Sequence, residues 1–202
     1  MIRCSFKNYM EDAMDIFEIL NSVTLENNIK LDEVPEIDLY MDQVIQLFES
    51  KLSNQKRNDE EKILTKTMIN NYAKGKLLLP IQNKKYSKEH IILMSLIYNL
   101  KGALSINDIR RSLNNIIEQE QVTDDYLLRQ LYCSYLNNCS NDKENFKENV
   151  LDKIKTINQE IDNKYSEDAD YEKKILLLCS LVNMSNMYRR MSEKLIDEFF
   201  AE

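Results

Sequence analysis

Residues 64–116 read LTKTMINNYAKGKLLLPIQNKKYSKEHIILMSLIYNLKGALSINDIRRSLNNI, and this stretch decides the fold. It contains both glycines of the chain, Gly75 and Gly102, together with Pro80, which is one of two prolines, and the only histidine, His90. Because the rest of the chain has so few residues that end a helix, a non-helical feature is expected here.

The first part of this stretch predicts a short helix. Thr65 is a good N-cap, and the helix over residues 66–74 places Ile69 and Tyr72 on one side. Gly75 follows at the position where a left-handed residue commonly ends a helix. The remaining polar side chains of the helix offer hydrogen-bond donors on an exposed face: Lys66, Thr67, Asn70, Asn71 and Lys74.

The second part predicts a turn and two further helices. Residues 77–81 are typical of extended chain, and residues 82–85 form a polar turn. Ser87 caps a helix over residues 87–101, and Ser105 caps the next one. The first of these two helices is expected to bury Ile91, Met94 and Ile97. We interpret His90 as a surface or capping residue.

The order of these elements is that of a winged helix-turn-helix, and the stretch resembles the MerR family of bacterial regulators. The matching motifs are Asn70-Asn71-Tyr72, Leu77-Leu78-Leu79-Pro80, Lys84-Lys85-Tyr86 and Ser105-Ile106-Asn107-Asp108-Ile109. The wording MINNYAKGKLL and KKYSKEH, preceded by IDLYMDQVIQLF, looks closer still to an uncharacterised MerR-like bacterial family catalogued only as a domain of unknown function. The resemblance covers Ile37 to Leu113.

The resemblance implies a mainly helical (all-α) protein with a small β-hairpin wing, in which a winged helix-turn-helix precedes a C-terminal helical region. It implies double-stranded DNA as the partner. The recognition helix would be 66–74 and the wing 82–86, and the expected DNA-binding residues are Lys66, Thr67, Asn70, Asn71, Lys74, Lys84, Lys85 and Tyr86. The arginine that MerR recognition helices usually carry before the tyrosine is absent here.

The distribution of charge agrees with a DNA-binding segment. The whole chain has a net charge of −7, which by itself argues against a nucleic-acid binder. Residues 51–116, however, contain 13 basic and 5 acidic side chains, whereas residues 1–50 contain 3 basic and 11 acidic ones. A basic segment between two acidic ones, coinciding with the motif, is the electrostatic pattern expected of a DNA-reading unit. A solvated lysine-rich surface is the alternative.

The composition also excludes several classes of protein. No apolar run approaches the length of a transmembrane helix, and the first residues lack the pattern of a signal peptide, so we expect a cytoplasmic protein without a membrane partner. The four cysteines are scattered and only one histidine is present, so we expect reduced, buried or half-buried thiols and neither metal nor cofactor. We expect no enzyme, because no phosphate loop or nucleophile–histidine arrangement is present.

The flanking sequence predicts further helices. An amphipathic helix over residues 8–24 has a stripe of Tyr9, Ala13, Phe17 and Leu20, and a support helix runs from about Glu36 to Leu52. The support helix has its own stripe of Leu39, Tyr40, Val44, Leu47 and Phe48. Thr123 and Asp124 are expected to cap a helix ending at Asn138. A break is predicted over residues 139–143, followed by a helix to Tyr165 whose stripe includes Phe146.

The last predicted helix, from Tyr171 to about Phe200, has an apolar seam with spacings of four and three: Leu177, Leu181, Met184, Tyr188, Met191, Leu195 and Phe199. Such a seam is typical of either a core helix within one chain or a homodimer interface. We divide the chain into an N-terminal helix and linker over 1–34, the winged helix-turn-helix over 35–119, and a C-terminal helical domain over 120–202.

Two functions follow from the sequence. The first is a DNA-binding transcription regulator. The second is a non-catalytic protein-interaction module built on a degenerate helix-turn-helix, which the missing arginine and the acidic remainder of the chain favour. DNA binding that falls steeply with salt would distinguish the first from the second.

Overall fold

The computed structural model describes residues 16–23, 25, 28–121, 127–162 and 168–200. The predicted Tyr9 and Ala13 of the first helix, and the predicted Thr123–Asp124 cap, lie outside these ranges. The described chain is mainly helical with one small antiparallel sheet, so the predicted fold class is confirmed. Within these ranges no helix has an apolar stretch long enough to cross a membrane.

The elements follow one another in a simple order. Helix α1 is described over residues 16–22, and two short 3-10 turns lie at Leu31–Glu33 and Ser53–Gln55. The two strands are β1 (Leu39–Tyr40) and β2 (Lys85–Tyr86). The remaining helices are α2 (Met41–Leu52), α3 (Lys66–Lys74), α4 (Lys88–Leu100), α5 (Ile106–Glu120), α6 (Leu127–Asp162) and α7 (Ala169–Phe199).

Two compact units share the last two helices. One unit comprises residues 26–139 and 189–202, and the other comprises residues 1–25 and 140–188. These units describe spatial compactness, and the functional boundaries after residues 34 and 119 stay predictions.

The larger unit is built around α4. The run Ile91–Ile97 of this helix is apolar except for Ser95, and all seven residues of the run are buried. A helix that is hydrophobic all round is expected to lie in the interior. Helices α2 and α3 bury one face each in the same core, through Val44, Phe48, Leu52, Ile69 and Tyr72.

The C-terminal end of α7 is held to this unit by an arginine of α5. The Arg111 guanidinium donates to the carbonyl oxygens of Phe200 (3.2 Å) and Ile196 (3.5 Å), and Ile196 is buried. Cationic donors at a helix C-terminus satisfy carbonyls that have no partner within the helix. Arg111 therefore caps α7 from outside it.

The smaller unit has its own apolar cluster. Leu20 of α1 packs with Val150 and Ile154 of α6, and Leu177 of α7 covers them. Lys173 of α7 forms an ion pair of 2.8 Å with Asp162 at the end of α6. Phe17 and Phe146, both predicted for buried stripes, are 45% and 38% exposed, so those two assignments were wrong.

The structure corrects the prediction of a helix break at residues 139–143. Helix α6 continues from Leu127 to Asp162 without interruption. The predicted break rested on a run of asparagine, serine and aspartate, each of which costs only a few tenths of a kcal/mol relative to better helix formers. No glycine or proline is present to stop the helix.

Two further corrections concern α2 and the thiols. Helix α2 begins at Met41 rather than near Glu36, because Leu39 and Tyr40 form a strand, and Tyr40 is 55% exposed instead of buried. Cys133 and Cys179 are exposed and Cys139 is half-buried, and all three are free thiols. Thiols can be exposed on these helices because neither Cys133 nor Cys179 lies on its helix's buried face.

Candidate nucleic-acid interface

Helix α3 presents a polar face to solvent. Its first turn is capped by Thr65, whose hydroxyl accepts a hydrogen bond from the backbone N–H of Met68 (3.2 Å), as predicted. Ile69 and Tyr72 are buried on the opposite side of the helix. The outward residues are all exposed, and they are the five that the sequence predicted: Lys66, Thr67, Asn70, Asn71 and Lys74.

The end of α3 differs from the prediction. Gly75 has a φ of −75°, and the left-handed residue is Lys76, with a φ of 57°. The N–H of Leu77 donates to the carbonyl of Tyr72 (3.0 Å), and the N–H of Lys76 donates to that of Ala73 (3.1 Å). This pair of bonds is the Schellman ending, and Leu77 and Tyr72, the two positions at which such an ending usually has a hydrophobic contact, are both buried in the same core. The motif therefore requires its left-handed residue one place later than the glycine.

The predicted polar turn is confirmed. The N–H of Lys85 donates to the carbonyl of Gln82 (2.9 Å), and the central residues Asn83 and Lys84 have φ values of 51° and 59°. Positive φ at both central residues is characteristic of a type I′ turn, the tight turn that matches the twist of paired strands. Lys84 is consequently exposed at the tip.

The strand that pairs with β2, at the end of this turn, comes from elsewhere in the chain. β2 pairs with β1, with Leu39 opposite Tyr86 and Tyr40 opposite Lys85. The ammonium of Lys85 lies 5.4 Å from the centroid of the Tyr40 ring, a cation–π distance, and Lys85 is half-buried. Tyr40 thus adds an exposed aromatic ring beside the basic turn.

The same β1 strand connects the turn to α3. Asp42 follows Tyr40 by two residues, and its carboxylate lies 2.8 Å from the ammonium of Lys66 at the start of α3. The turn, the N-terminus of α2 and the N-terminus of α3 are therefore neighbours on one surface. Sequence reasoning missed Tyr40 and Asp42, because their partners are far away along the chain.

Tyr86, which the sequence placed among the DNA-binding residues, lies in the core instead. It is only 3% exposed, and its ring meets the His90 ring edge-on with centroids 5.7 Å apart. Burial raises the pKa of the Tyr86 phenol. Its role is to fix β2 on the core, because it is the strand residue that points inward while Lys85 points outward.

His90 is a capping residue, as one of the predicted alternatives had it, but it is not on the surface. It is 5% exposed, and its Nδ1 accepts a hydrogen bond from the backbone N–H of Ser87 (3.1 Å). Its Nε2 lies 3.1 Å from the carbonyl oxygen of Leu79 and donates to it in the neutral ring. Burial lowers the pKa of His90. The histidine thereby joins the start of α4 to the segment that leads into the turn.

A chain of alternating charges anchors α4 behind this surface. Lys88, which is 7% exposed, is paired with Glu36, and Arg129 of α6 reaches both Glu36 (3.4 Å) and Glu89 (2.6 Å). The hydrogen bond from Lys88 holds the pKa of Glu36 below its ordinary value. These four side chains hold α4, α6 and the segment before β1 together.

Ion pairs reduce the positive charge that the sequence suggested. Lys51 pairs with Glu33 (2.9 Å), and Lys56 pairs with Glu49. Acidic residues of segment 1–50 therefore neutralise part of the positive charge of segment 51–116. In the described ranges, Lys74, Lys76 and Lys84 have no acidic partner. Part of the positive charge that is not paired therefore lies at the end of α3 and at the turn.

The fold and this surface define a mainly helical protein in which a short, donor-rich helix lies beside a tight basic turn. Among the described residues, no three His, Cys, Asp or Glu side chains are grouped as a metal site requires. Residues 29–136 match the family described as a domain of unknown function, DUF1836, and the chain belongs to that family. No curated protein and no solved structure matches the chain.

Proposed function

We propose that residues 35–119 form a MerR-like winged helix-turn-helix that binds duplex DNA and regulates transcription. The observation that carries this proposal is the outward face of α3. Five exposed donors lie on that face, and α3 contains no acidic residue. An exposed helix face of this kind fits the major groove, which is wide enough to admit an α-helix.

These side chains are suited to bind different parts of the DNA. Asn70 and Asn71 carry amides that can hydrogen-bond an adenine edge with two bonds, whereas lysines bind guanine or phosphate. Lys84 at the turn is suited to hold the flanking phosphate backbone, which positions a protein without reading sequence. The Tyr40 ring and Lys85 would extend that contact, since a tyrosine hydroxyl also donates to phosphate.

Salt-dependent binding of mixed-sequence duplex DNA tests the proposal. Fluorescence anisotropy across a salt series is expected to show a log–log slope of about −0.9 for each phosphate neutralised. Lys84→Glu is expected to weaken binding and reduce that slope by about 1, because Lys84 is exposed and serves no core contact. Lys153→Glu on α6 changes the total charge equally and is the matched control.

Substitutions in α3 test the recognition helix separately. Asn70→Ala and Asn71→Ala are both at exposed positions, so the fold should be unchanged by circular dichroism. They are expected to weaken binding to a selected operator more than binding to mixed DNA, because amide contacts discriminate bases. Equal loss on both DNAs would contradict a base-reading role for these asparagines.

A protein-interaction module is the second candidate, and one observation favours it. Lys66 at the start of α3 is paired with Asp42, and the usual arginine is absent from the helix. Helix α3 therefore attracts phosphate more weakly than a fully basic helix would. Absence of binding even at low salt, with the protein folded, and a native pull-down partner that survives nuclease treatment would select this function. In either case we propose a non-catalytic protein that acts in the cytoplasm.

A further inference from the structure

The outward face of α3 is made of polar side chains that the fold itself does not use. Thr67, Asn70, Asn71 and Lys74 follow one another at the spacings that place residues on one side of a helix, and all four are exposed. Within the described ranges, none of these four side chains makes a hydrogen bond or an ion pair with the rest of the chain. Their hydroxyl, amide and ammonium groups are therefore available to a ligand.

This face lacks the groups that usually recognise a G·C base pair. In the major groove, arginine or lysine binds the guanine edge, and a carboxylate accepts a hydrogen bond from N4 of cytosine. Helix α3 contains no arginine, aspartate or glutamate. Lys66 at its start lies 2.8 Å from the carboxylate of Asp42 on α2, so this cation and this carboxylate are paired with each other. A G·C pair opposite the middle of α3 would therefore have no partner of its usual kind.

The middle of the face carries the groups that recognise an A·T base pair. An asparagine amide forms two hydrogen bonds with adenine, at N6 and N7, and a threonine methyl packs on the C5 methyl of thymine. Asn70 and Asn71 supply two amides, and Thr67 lies one turn before them. Because one amide uses both hydrogen-bonding atoms of an adenine edge, the two asparagines require two different adenines.

Lys74 completes the face at the C-terminal end of α3. The N-terminal residues of a recognition helix usually contact the base edges, so the other end lies nearer the DNA backbone. Lys76, just beyond this end, and Lys84 at the tip of the turn are also exposed and have no acidic partner in the described ranges. A lysine binds phosphate as a point charge. These three lysines are suited to the flanking backbone, which leaves the bases to the other three residues.

We propose that α3 binds a short block of A·T base pairs in the major groove, with two adenines hydrogen-bonded to Asn70 and Asn71 and a thymine methyl packed on Thr67. This base preference rests on the proposed function, because α3 must enter the groove to express it. A block of G·C pairs would leave both amides without the neighbouring donor and acceptor that an adenine edge offers.

Selection from duplexes with a randomised centre tests the base composition of the site. The full chain is incubated with the library, the bound duplexes are amplified, and the cycle is repeated. We expect enrichment of sequences that contain a block of adjacent A·T pairs. Enrichment of a G·C block, or retention of DNA with no preferred sequence, would overturn the A·T block while DNA binding stands. Failure to retain any DNA would overturn both.

The groove that is contacted needs its own test, because A·T-rich DNA also has a narrow minor groove that attracts cations such as Lys84. Replacing adenine by 7-deazaadenine removes the N7 acceptor from the major groove and leaves the minor-groove edge unchanged. We expect about a fivefold loss of affinity for each contacted adenine, the effect of one hydrogen bond. The same analogue at an adenine outside the block is the control. Undiminished affinity with every adenine of the block replaced would overturn the major-groove contact.

Protein variants assign each asparagine to its adenine. In Asn70→Ala, one of the two contacted adenines should lose its sensitivity to 7-deazaadenine, and in Asn71→Ala the other should. Asn114→Ala on α5 removes an equally exposed amide and should keep both sensitivities, so it is the matched control. Full sensitivity of both adenines in the two α3 variants would overturn the role of the asparagines.

Uracil in place of a thymine of the block tests Thr67, because this exchange removes only the C5 methyl. We expect about a threefold loss of affinity for the wild type, in keeping with the burial of one methyl group. Thr67→Ser lacks the methyl on the protein side and should show no such loss, whereas Thr67→Val keeps it and should remain sensitive. Equal losses in the wild type and Thr67→Ser would overturn the contact between Thr67 and thymine.

Discussion

The ammonium of Lys66 lies 2.8 Å from a carboxylate oxygen of Asp42, and both side chains are mostly exposed. The pair joins the start of α3 to the start of α2, on the surface where we propose that DNA binds. A phosphate that approaches Lys66 must compete with this carboxylate. Asp42 is therefore expected to limit the affinity of the free protein for DNA.

Asp42→Asn should tighten DNA binding up to about fivefold at low salt, which corresponds to the roughly 1 kcal/mol that an exposed ion pair is worth. Fluorescence anisotropy with the same mixed duplex measures the change. Glu49→Gln removes one negative charge from the same helix, where Glu49 pairs with Lys56, and is the control for net charge. An equal gain from both variants would mean that Asp42 acts only through total charge.

Lys76 holds a left-handed backbone conformation that costs a residue with a side chain about 1 kcal/mol or more. Lys76→Gly should therefore raise the free energy of unfolding by up to about 1 kcal/mol, after allowance for the greater freedom of glycine in the unfolded chain. Chemical denaturation measures this change in the free energy of unfolding. Lys74→Gly, two residues earlier within α3, should instead lower stability by about 1 kcal/mol. A loss of stability in both would contradict the Schellman ending.

The features that were predictable from sequence are those that depend on neighbouring residues. Thr65 and Ser105 were recognised as caps because each hydroxyl accepts from a backbone N–H three residues later. The polar turn at residues 82–85 was also recognised, because its composition alone favours a tight reversal of chain direction. These interactions are complete within a few residues of sequence.

The features that were not predictable depend on pairing between distant segments. Tyr40 meets Lys85 because two short strands pair, and nothing in the residues around either one specifies that register. The burial of Tyr86 follows from the same pairing, since alternate residues of a strand point to opposite faces. The left-handed Lys76 was missed because glycine is the usual residue there and Gly75 lies next to it.

His90 should make stability fall in mildly acidic solution. An unfolded histidine has a pKa of about 6.5, and burial lowers the pKa of His90 in the folded chain. Between these two values the unfolded chain binds the proton first, so the free energy of unfolding decreases as pH falls below about 6.5. Nδ1 now accepts a hydrogen bond from the backbone N–H of Ser87. Protonation of Nδ1 would place its new N–H against this donor.

Nuclear magnetic resonance measures the midpoint directly, because the chain has one histidine and so one set of imidazole signals. We expect a midpoint below about 6.5. His90→Asn, which keeps a capping acceptor, should remove most of the change in stability between pH 6.5 and 5 that precedes carboxylate titration. A midpoint at or above the ordinary value would contradict the buried neutral ring.

Tyr132 connects three segments of the larger unit through one hydroxyl. The hydroxyl donates to the carbonyl of Ile29 (2.7 Å) and lies 2.8 Å from the hydroxyl of Ser95, and the ring is fully buried. Tyr132→Phe leaves the carbonyl of Ile29 without this donor, so it should cost about 1–3 kcal/mol of stability. Ser95→Ala should cost less, because the bond from Tyr132 to Ile29 remains.

The ionisation of Tyr132 should lower the stability of the protein in alkaline solution. Burial raises the pKa of Tyr132 to about 12, above the value of about 10 for an unfolded tyrosine. The unfolded chain therefore loses this proton first, and stability declines as pH rises from about 10 to about 12. Urea denaturation across this range should show a shallower decline for Tyr132→Phe than for the wild type. Parallel declines in the two proteins would mean that Tyr132 ionises normally and that its hydroxyl is not held between Ile29 and Ser95.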